Sequence, residues 1–191
     1  MGYAELAVTT NFSFLRGASH PSDLVAQAVA LGHAGLGIAD RNSVAGVVRA
    51  HAALKQVQAP DTEHGPAPVP FKLVVGARLV FADGTPDVIA YPENRAGWGG
   101  LCRLLTLGNR RAPKGGCILH FGDLLNHADD LLLIQMSAAP GDRTLDRLVQ
   151  VALGRVWLAA AMPRRGADRR HLAGTVQAAH AAGGPLLAVN N

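Results

Sequence analysis

Cysteine and aromatic residues are both scarce in this chain. Its 191 residues include two cysteines, Cys102 and Cys117, and neither belongs to a C-x-x-C pair. This scarcity excludes a disulfide-rich scaffold and a thiolate zinc site, and it favours two reduced thiols in a cytosolic protein. Aromatic residues make up only 5% of the chain. The basic clusters at 109–116 and 164–170 therefore lack interleaved stacking residues, and we interpret them as solvated faces rather than single-strand platforms.

Long apolar runs and nucleotide-binding motifs are missing as well. No apolar run reaches the roughly 18 to 20 residues that a membrane span requires. The first residues lack the charged and apolar regions of a secretory signal. Neither G-x-G-x-x-G nor G-x-x-x-x-G-K-[ST] follows a strand-like segment, which argues against dinucleotide and P-loop sites. We therefore expect a cytoplasmic protein without membrane contact.

The remaining composition is that of a soluble globular protein. Hydrophobic residues account for 49% of the chain and charged residues for 17%, and the length favours a single domain spanning 1–191. The net charge is +4 and the sequence pI is about 9.6. This mild basicity is compatible with proximity to nucleic acid, but the Ala-, Gly- and Arg-rich usage of a GC-rich genome is the favoured explanation.

Hydrophobic periodicity alternates between strand-like and helix-like segments. Strands are predicted at 6–9, 35–40, 71–81, 86–92, 131–136, 155–162 and 185–191. Helices are predicted at 21–31, 43–57, 95–108, 144–153 and 167–182. A proline-rich loop is expected at 60–70 and a basic loop at 109–116. Seven strands with helices between most of them indicate an α/β fold with a largely parallel sheet, either a barrel or an open sheet.

The predicted strand ends carry few metal ligands. In α/β barrels the functional residues lie where strands end and loops begin. The residues at those places are Thr9, Asp40, Arg41, Arg78, Asp87, Ser137, Asn190 and Asn191. The eight histidines lie mostly in predicted helices and loops, and they lack the short spacing of a metal-binding pair. A site for several divalent cations is therefore not predicted from the residues alone.

The sequence resembles a known family, most specifically in its first fifty residues. The segments YAELAVTTNFSFLRGASHP (3–21) and ADRNSVAGVVRAH (39–51) are similar to the N-terminus of bacterial C-family DNA polymerases. The closest similarity is to the error-prone ImuC branch of that family. Similarity continues through VVGARLVF (74–81), NRAGWGGLCRLLTL (94–107) and PLLAVNN (185–191), so it covers essentially the whole chain.

This resemblance implies a PHP domain, named for polymerase and histidinol phosphatase. The family fold is a distorted seven-stranded, TIM-like β/α barrel, which agrees with the independent strand count. The resemblance also implies that the chain is a piece of a longer polymerase, truncated at or near the last strand. On this hypothesis the palm, fingers and thumb of the polymerase are absent from the chain.

Metal-binding members of the family carry a cluster of histidines and carboxylates at defined positions, among them an H-x-H pair on the first strand. At the ligand positions this sequence carries Ala7, Thr9, Arg16, Arg41, Arg78, Asp87 and Asn191. Asp40, which directly precedes Arg41, belongs to the same region of the family pattern. Of the residues at the ligand positions, only Asp87 ligates a divalent metal well, and one carboxylate does not hold a cluster. The resemblance thus implies a domain without catalytic residues, metal or other cofactor.

The three arginines at these positions allow two interpretations. They could pair with Asp40, Asp87 and Glu5, and so replace the positive charge of the missing metals. Alternatively, they could form an anion site for phosphate or the DNA backbone. The ion-pair hypothesis is favoured because resident carboxylates require no ligand.

The function implied by the resemblance is structural. The parent would be a damage-induced translesion DNA polymerase, with Mg²⁺ held by palm aspartates outside this chain. Its partners would be the remainder of the polymerase chain, DNA, the sliding clamp and the other proteins of the mutagenesis cassette. Two alternatives from other classes are a stand-alone metal-dependent phosphoesterase with a non-standard site and a free DNA-binding module.

Overall fold

The computed structural model describes residues 2–58, 70–139 and 141–190, and it divides after Gly76 into two compact units. The strands are β1 (Ala4–Val8), β2 (Gly35–Arg41), β3 (Lys72–Leu79), β4 (Val88–Pro92), β5 (Leu131–Gln135), β6 (Val156–Ala160) and β7 (Leu186–Ala188). The helices are α1 (Pro21–Ala30), α2 (Val47–Gln58), α3 (Arg95–Arg111), α4 (Phe121–Leu125), α5 (Thr144–Val151) and α6 (Asp168–Ala182).

The seven strands form a sheet whose order follows the chain, from β1 to β7. β1 and β2 are parallel, as are β5, β6 and β7, whereas β4 is antiparallel to both β3 and β5. The α/β class and the seven strands predicted from the sequence are confirmed. The sheet is largely parallel as expected, and β4 is the exception.

In the first unit, both helices pack with the buried strand β2. Six consecutive residues of β2, 35–40, are buried, which is typical of a strand covered on both faces. Helix α1 begins at Pro21, where a missing N–H removes no helical hydrogen bond, and it is followed by Gly32 with a φ of 71°. The apolar faces of α1 and α2 pack with β2 in one cluster that includes Val25 and Ile38.

The second unit is built on the β3–β4 hairpin and the strands that follow it. A turn at Asp83–Gly84 joins the two strands, since Gly84 has a φ of 79° and the Asp83 carboxylate accepts the Thr85 N–H at 3.2 Å. The long helix α3 packs against β4, and its Leu101 and Leu104 are fully buried. This burial explains why the helix forms despite its four glycines.

Three segments differ from the sequence-based expectation. Helix α2 starts at Val47, because residues 43–46 lie in the loop after β2. Helix α3 extends to Arg111, so the start of the predicted basic loop is wrong by three residues. The five-residue helix α4 was not predicted, because it is too short to give a periodic signal. The proline-rich loop expected at 60–70 lies outside the described residues, apart from Pro70.

Across the parts of the chain that the structure describes, no helix combines the length and the apolar character needed to cross a bilayer.

Candidate functional site

A buried carboxylate lies where β2 ends, beside the loop that follows β1. Asp40 is fully buried, and a buried charge is costly unless several donors compensate it. Its Oδ1 accepts the Thr10 N–H at 2.8 Å and the Ser13 hydroxyl at 2.7 Å. The Thr10 hydroxyl lies 3.0 Å from Oδ1 and 2.8 Å from Oδ2. We call Thr10, Ser13 and Asp40 the Asp40 hub.

The direction of each hydrogen bond in the Asp40 hub is fixed by its neighbours. The Phe12 N–H donates to the Thr10 hydroxyl at 3.1 Å, and the Arg41 N–H donates to the Ser13 hydroxyl at 2.9 Å. Each hydroxyl therefore accepts from the backbone and has one proton left to donate. Both protons point to Asp40, so the hub is arranged around a carboxylate that acts only as an acceptor.

Two glycines make room for the hub and its loop. A Cβ on Gly46 would lie 2.7 Å from Oδ2 of Asp40, and a Cβ on Gly17 would lie 2.2 Å from the Thr10 carbonyl oxygen. Side chains at these two positions would force the backbone or the carboxylate to move. The absence of a Cβ at Gly46 also brings the start of α2 close to the end of β2.

The two residues at the H-x-H positions offer no metal-binding nitrogen. Ala7 is buried in β1, and Thr9 is half-buried just after the strand. The nearby Glu5 carboxylate accepts the Ala7 N–H at 2.8 Å and the Tyr3 hydroxyl. Burial, together with the hydrogen bond to Glu5 and its negative charge, raises the pKa of Tyr3 to about 12.

The predicted pairing of Asp40 with an arginine is wrong. Among the described residues, the hydrogen-bond donors to Asp40 belong to Thr10 and Ser13, so hydroxyl and amide groups take the place of a guanidinium. The Arg16 side chain is exposed on the loop after β1. Arg41 is half-buried and contributes its backbone N–H to the hub.

In the second unit, the predicted pairing of Asp87 with an arginine is confirmed, and the partner is Arg78. The Arg78 Nε lies 2.8 Å from Oδ2 of Asp87, and the side chains are 16% and 22% exposed. The hairpin register pairs Arg78 with Ile89, two residues after Asp87. Because β4 is antiparallel, a residue at its start reaches the end of β3.

The sequence-predicted positions are divided between the two units. Ala7, Thr9, Arg16, Asp40 and Arg41 belong to the first unit, and Arg78 and Asp87 belong to the second. Asn191 lies outside the described residues.

The residues at the family's ligand positions do not fit a cluster of divalent cations. Alanine has no donor atom, and a guanidinium carries positive charge with no lone pair to offer. Among the residues that the structure describes, no group of three or more His, Cys, Asp or Glu side chains could hold a metal ion. The donor set is suited to hydrogen bonding and ion pairing within the protein.

Another ion pair closes the start of α4. The Asp123 carboxylate accepts from Arg111, with Nη2 at 3.0 Å from Oδ1, and from the His120 N–H at 2.9 Å. The hydrogen bond from Arg111 is the main cause of the lowered pKa of Asp123, and the His120 contacts add to it against the opposing effect of burial. This arrangement fixes the end of α3 to α4 and has no feature of a binding site.

Sequence reasoning missed the donors of the hub. Thr10, Ser13 and Gly46 are not among the positions to which the sequence pattern assigns a role. A signal was present, because the polar run Thr10-Asn11 follows the first strand and an aspartate ends the fully buried second strand. Only the structure shows that these ends meet.

Comparison with known proteins supports the resemblance. A model of the PHP domain matches residues 5–153. The chain is 47% identical to an error-prone DNA polymerase of Brucella abortus over 197 residues, which cover 99% of this chain and 17% of that protein. It is 49% identical to error-prone DNA polymerase 1 of Rhizobium meliloti over 195 residues, which cover 99% of this chain and 16% of that protein. The chain thus spans about a sixth of the length of these curated relatives.

Solved structures agree with the fold. A Bifidobacterium adolescentis protein assigned to the metal-dependent phosphoesterases superposes with a TM-score of 0.64 at 14% identity, covering 98% of this chain and 86% of that protein. An amidohydrolase of Chromobacterium violaceum, with bound sulfate and no metal, superposes with a TM-score of 0.58 at 16% identity. The match covers 98% of this chain and 86% of that protein. At these identities the likeness concerns the fold alone. Since the family model covers well over half of the sequence, the chain belongs to the PHP domain family.

Proposed function

We propose that this chain is the PHP domain of an error-prone DNA polymerase, and that the domain is metal-free, non-catalytic and structural. The relatives that match almost the whole chain are named error-prone DNA polymerases. In this proposal nucleotide insertion on damaged templates belongs to a polymerase portion outside the chain, which uses Mg²⁺. DNA, the sliding clamp and the mutagenesis-cassette proteins are partners of the whole polymerase, in the cytoplasm.

One observation carries the proposal: the two carboxylates that correspond to the family's metal-binding region, Asp40 and Asp87, are hydrogen-bonded or ion-paired within the protein. Asp40 is compensated by the hydroxyls and amide of the hub. Asp87 lies in an ion pair with Arg78. Both carboxylates thus have protein partners that perform the role a cation would have, which is to stabilise negative charge away from water.

The nearest alternative is a stand-alone phosphoesterase with a non-standard metal site. It requires several imidazoles or carboxylates that converge on one point and leave a position for water. The residues at the family's ligand positions favour the structural role over this alternative, because three of them are arginines and one is alanine.

Metal content tests the proposal directly. The purified chain is incubated with excess Zn²⁺ and Mn²⁺, desalted and analysed by elemental mass spectrometry. We expect about a tenth of an equivalent or less, because structural and catalytic sites with a full ligand set retain their metal through such treatment. The Bifidobacterium adolescentis protein, treated identically, is the control for loading. Two or more retained equivalents would overturn the proposal.

A second assay separates the two functions. Hydrolysis of p-nitrophenyl phosphate is measured with and without a chelator. We expect no turnover above that of the buffer. Turnover that the chelator abolishes would establish the phosphoesterase alternative.

A further inference from the structure

The loop after β1 carries an exposed apolar tip. Phe14 is 85% exposed and Leu15 is 84% exposed, and we call this pair the Phe14–Leu15 tip. Val48, in the first turn of α2, is 75% exposed. Adjacent large apolar side chains with this degree of exposure are characteristic of contact surfaces.

Backbone strain points to the same pair. Leu15 has a φ of 60°, in the left-handed region that glycine and asparagine adopt more readily than leucine. Strained residues of this kind persist when the surrounding structure holds them, and they concentrate at functional sites. The turn closed by the Ser13 carbonyl holds residue 15 in this conformation. Glycine or asparagine would meet the needs of that turn with less strain, so the leucine side chain is the feature that the strain maintains.

The base of the tip is held firmly. The Ser13 side chain is bonded to Asp40, and the Ser13 carbonyl accepts the N–H groups of Arg16 at 2.9 Å and Gly17 at 3.0 Å. The Asn11 N–H donates to the carbonyl of Ser19 at 3.0 Å, which closes the loop. A tip fixed in advance loses little conformational entropy when it is covered, and this favours docking.

Charge and shape indicate the chemistry of the partner. The Arg49 guanidinium lies over the Phe12 ring, 5.6 Å from its centre, and Arg16 is exposed next to Leu15. Arg16 beside the tip and Arg49 on Phe12 in the same loop favour a partner with carboxylates. The tip pairs the single ring of Phe14 with the aliphatic side chain of Leu15, which offers no stacking surface for a neighbouring base, so a protein pocket is favoured over a single nucleic-acid strand.

We infer that the Phe14–Leu15 tip docks into an apolar pocket rimmed by carboxylates on the polymerase portion of an error-prone DNA polymerase. This inference rests on the proposed function. The curated relatives are about six times as long as the matched segment, which supplies a large covalently linked partner. The Asp40 hub then has a role besides stabilising the fold, because it positions the tip for docking.

Photo-crosslinking in a full-length polymerase tests the inference. In the Brucella abortus relative, the segment that matches this chain is replaced by the chain itself. A benzophenone amino acid is placed at Phe14 in one protein and at Leu31 in another. Leu31 is the control, because it is an exposed apolar residue of the same unit, 62% exposed, at the end of α1. Primer extension shows that each chimera is folded, and the Rhizobium meliloti relative provides a second scaffold.

We expect cross-links from position 14, and not from position 31, to residues of the polymerase portion. In addition, Leu15→Asn relieves the strain at φ 60° and leaves the isolated chain at least as stable, while it weakens docking about tenfold by removing a buried apolar side chain. A cross-link from position 14 to primed DNA would assign the tip to nucleic acid and overturn the inference. So would equal labelling from both positions, or none. Metal retention by the isolated chain would contradict the proposed function without affecting the cross-linking result.

Discussion

The Asp40 hub gives the sharpest quantitative prediction. Replacing Thr10 by valine keeps the shape of the side chain and removes its hydroxyl. Asp40 then loses the donor that lies 3.0 Å from Oδ1 and 2.8 Å from Oδ2, and the Phe12 N–H loses its acceptor. A hydrogen bond to a charged group contributes about 1.5–3 kcal/mol, and the unpaired N–H adds to the loss. We expect Thr10→Val to lower the free energy of unfolding by about 2–4 kcal/mol, or roughly 5–15 °C in Tm.

Thr9→Val is the matched control, because it makes the same chemical change one residue earlier. Within the described residues the Thr9 hydroxyl makes no hydrogen bond, so we expect a change within about 0.5 kcal/mol. Both tryptophans, Trp98 and Trp157, belong to the second unit. Urea unfolding is therefore followed by far-ultraviolet circular dichroism, and hydrogen exchange of residues 4–17 shows where the stability is lost. Equal effects of the two substitutions would refute the hub's energetic role.

Two further predictions concern the second unit. A double-mutant cycle with Arg78→Met and Asp87→Asn, measured by urea unfolding, should give a coupling energy of about 0.5–2 kcal/mol, because the ion pair is partly buried. A coupling energy of zero would mean that solvent screens the pair. The pKa of Asp123 is lower in the folded protein than the value of about 3.9 expected in the unfolded chain. Its ion pair with Arg111 therefore stabilises the fold fully at a pH above the unfolded pKa, and this contribution is lost as the pH falls through the folded pKa. Asp123→Asn should therefore flatten the decline in stability measured between pH 6 and pH 3, and an unchanged slope would contradict this reasoning.

The fold was largely predictable because its strands and helices differ in period and length. The continuous apolar run of β2 and the Pro21 start of α1 are local signals, and both were read correctly. The reversal between β3 and β4 follows from the tight turn at Asp83–Gly84. The antiparallel pairing of β4 with β5 was not predicted, because the direction of that pairing depends on the neighbouring strand and not on the residues of β4. Helix α4 was missed because five residues contain less than two helical turns.

The candidate site was predictable only in part. The pairing of Asp87 with an arginine was predicted from opposite charge at the family's ligand positions. The structure identifies the partner as Arg78, nine positions away on the same hairpin. The partners of Asp40 are separated from it by 27 and 30 positions. Opposite charge suggested an arginine there, yet small hydroxyl side chains fit the space beside Gly46. Charge alone does not reveal which donor the local packing admits.

The Asp40 hub also has a consequence for protein engineering. Its two hydroxyls and one amide already occupy most of the acceptor capacity of the carboxylate. Replacing Ala7 by histidine would add a single imidazole to this unit while leaving that carboxylate without a vacancy for a cation, and one imidazole does not hold a metal ion. A metal site built into this unit would therefore require several substitutions made together, among them the removal of the donors of the hub.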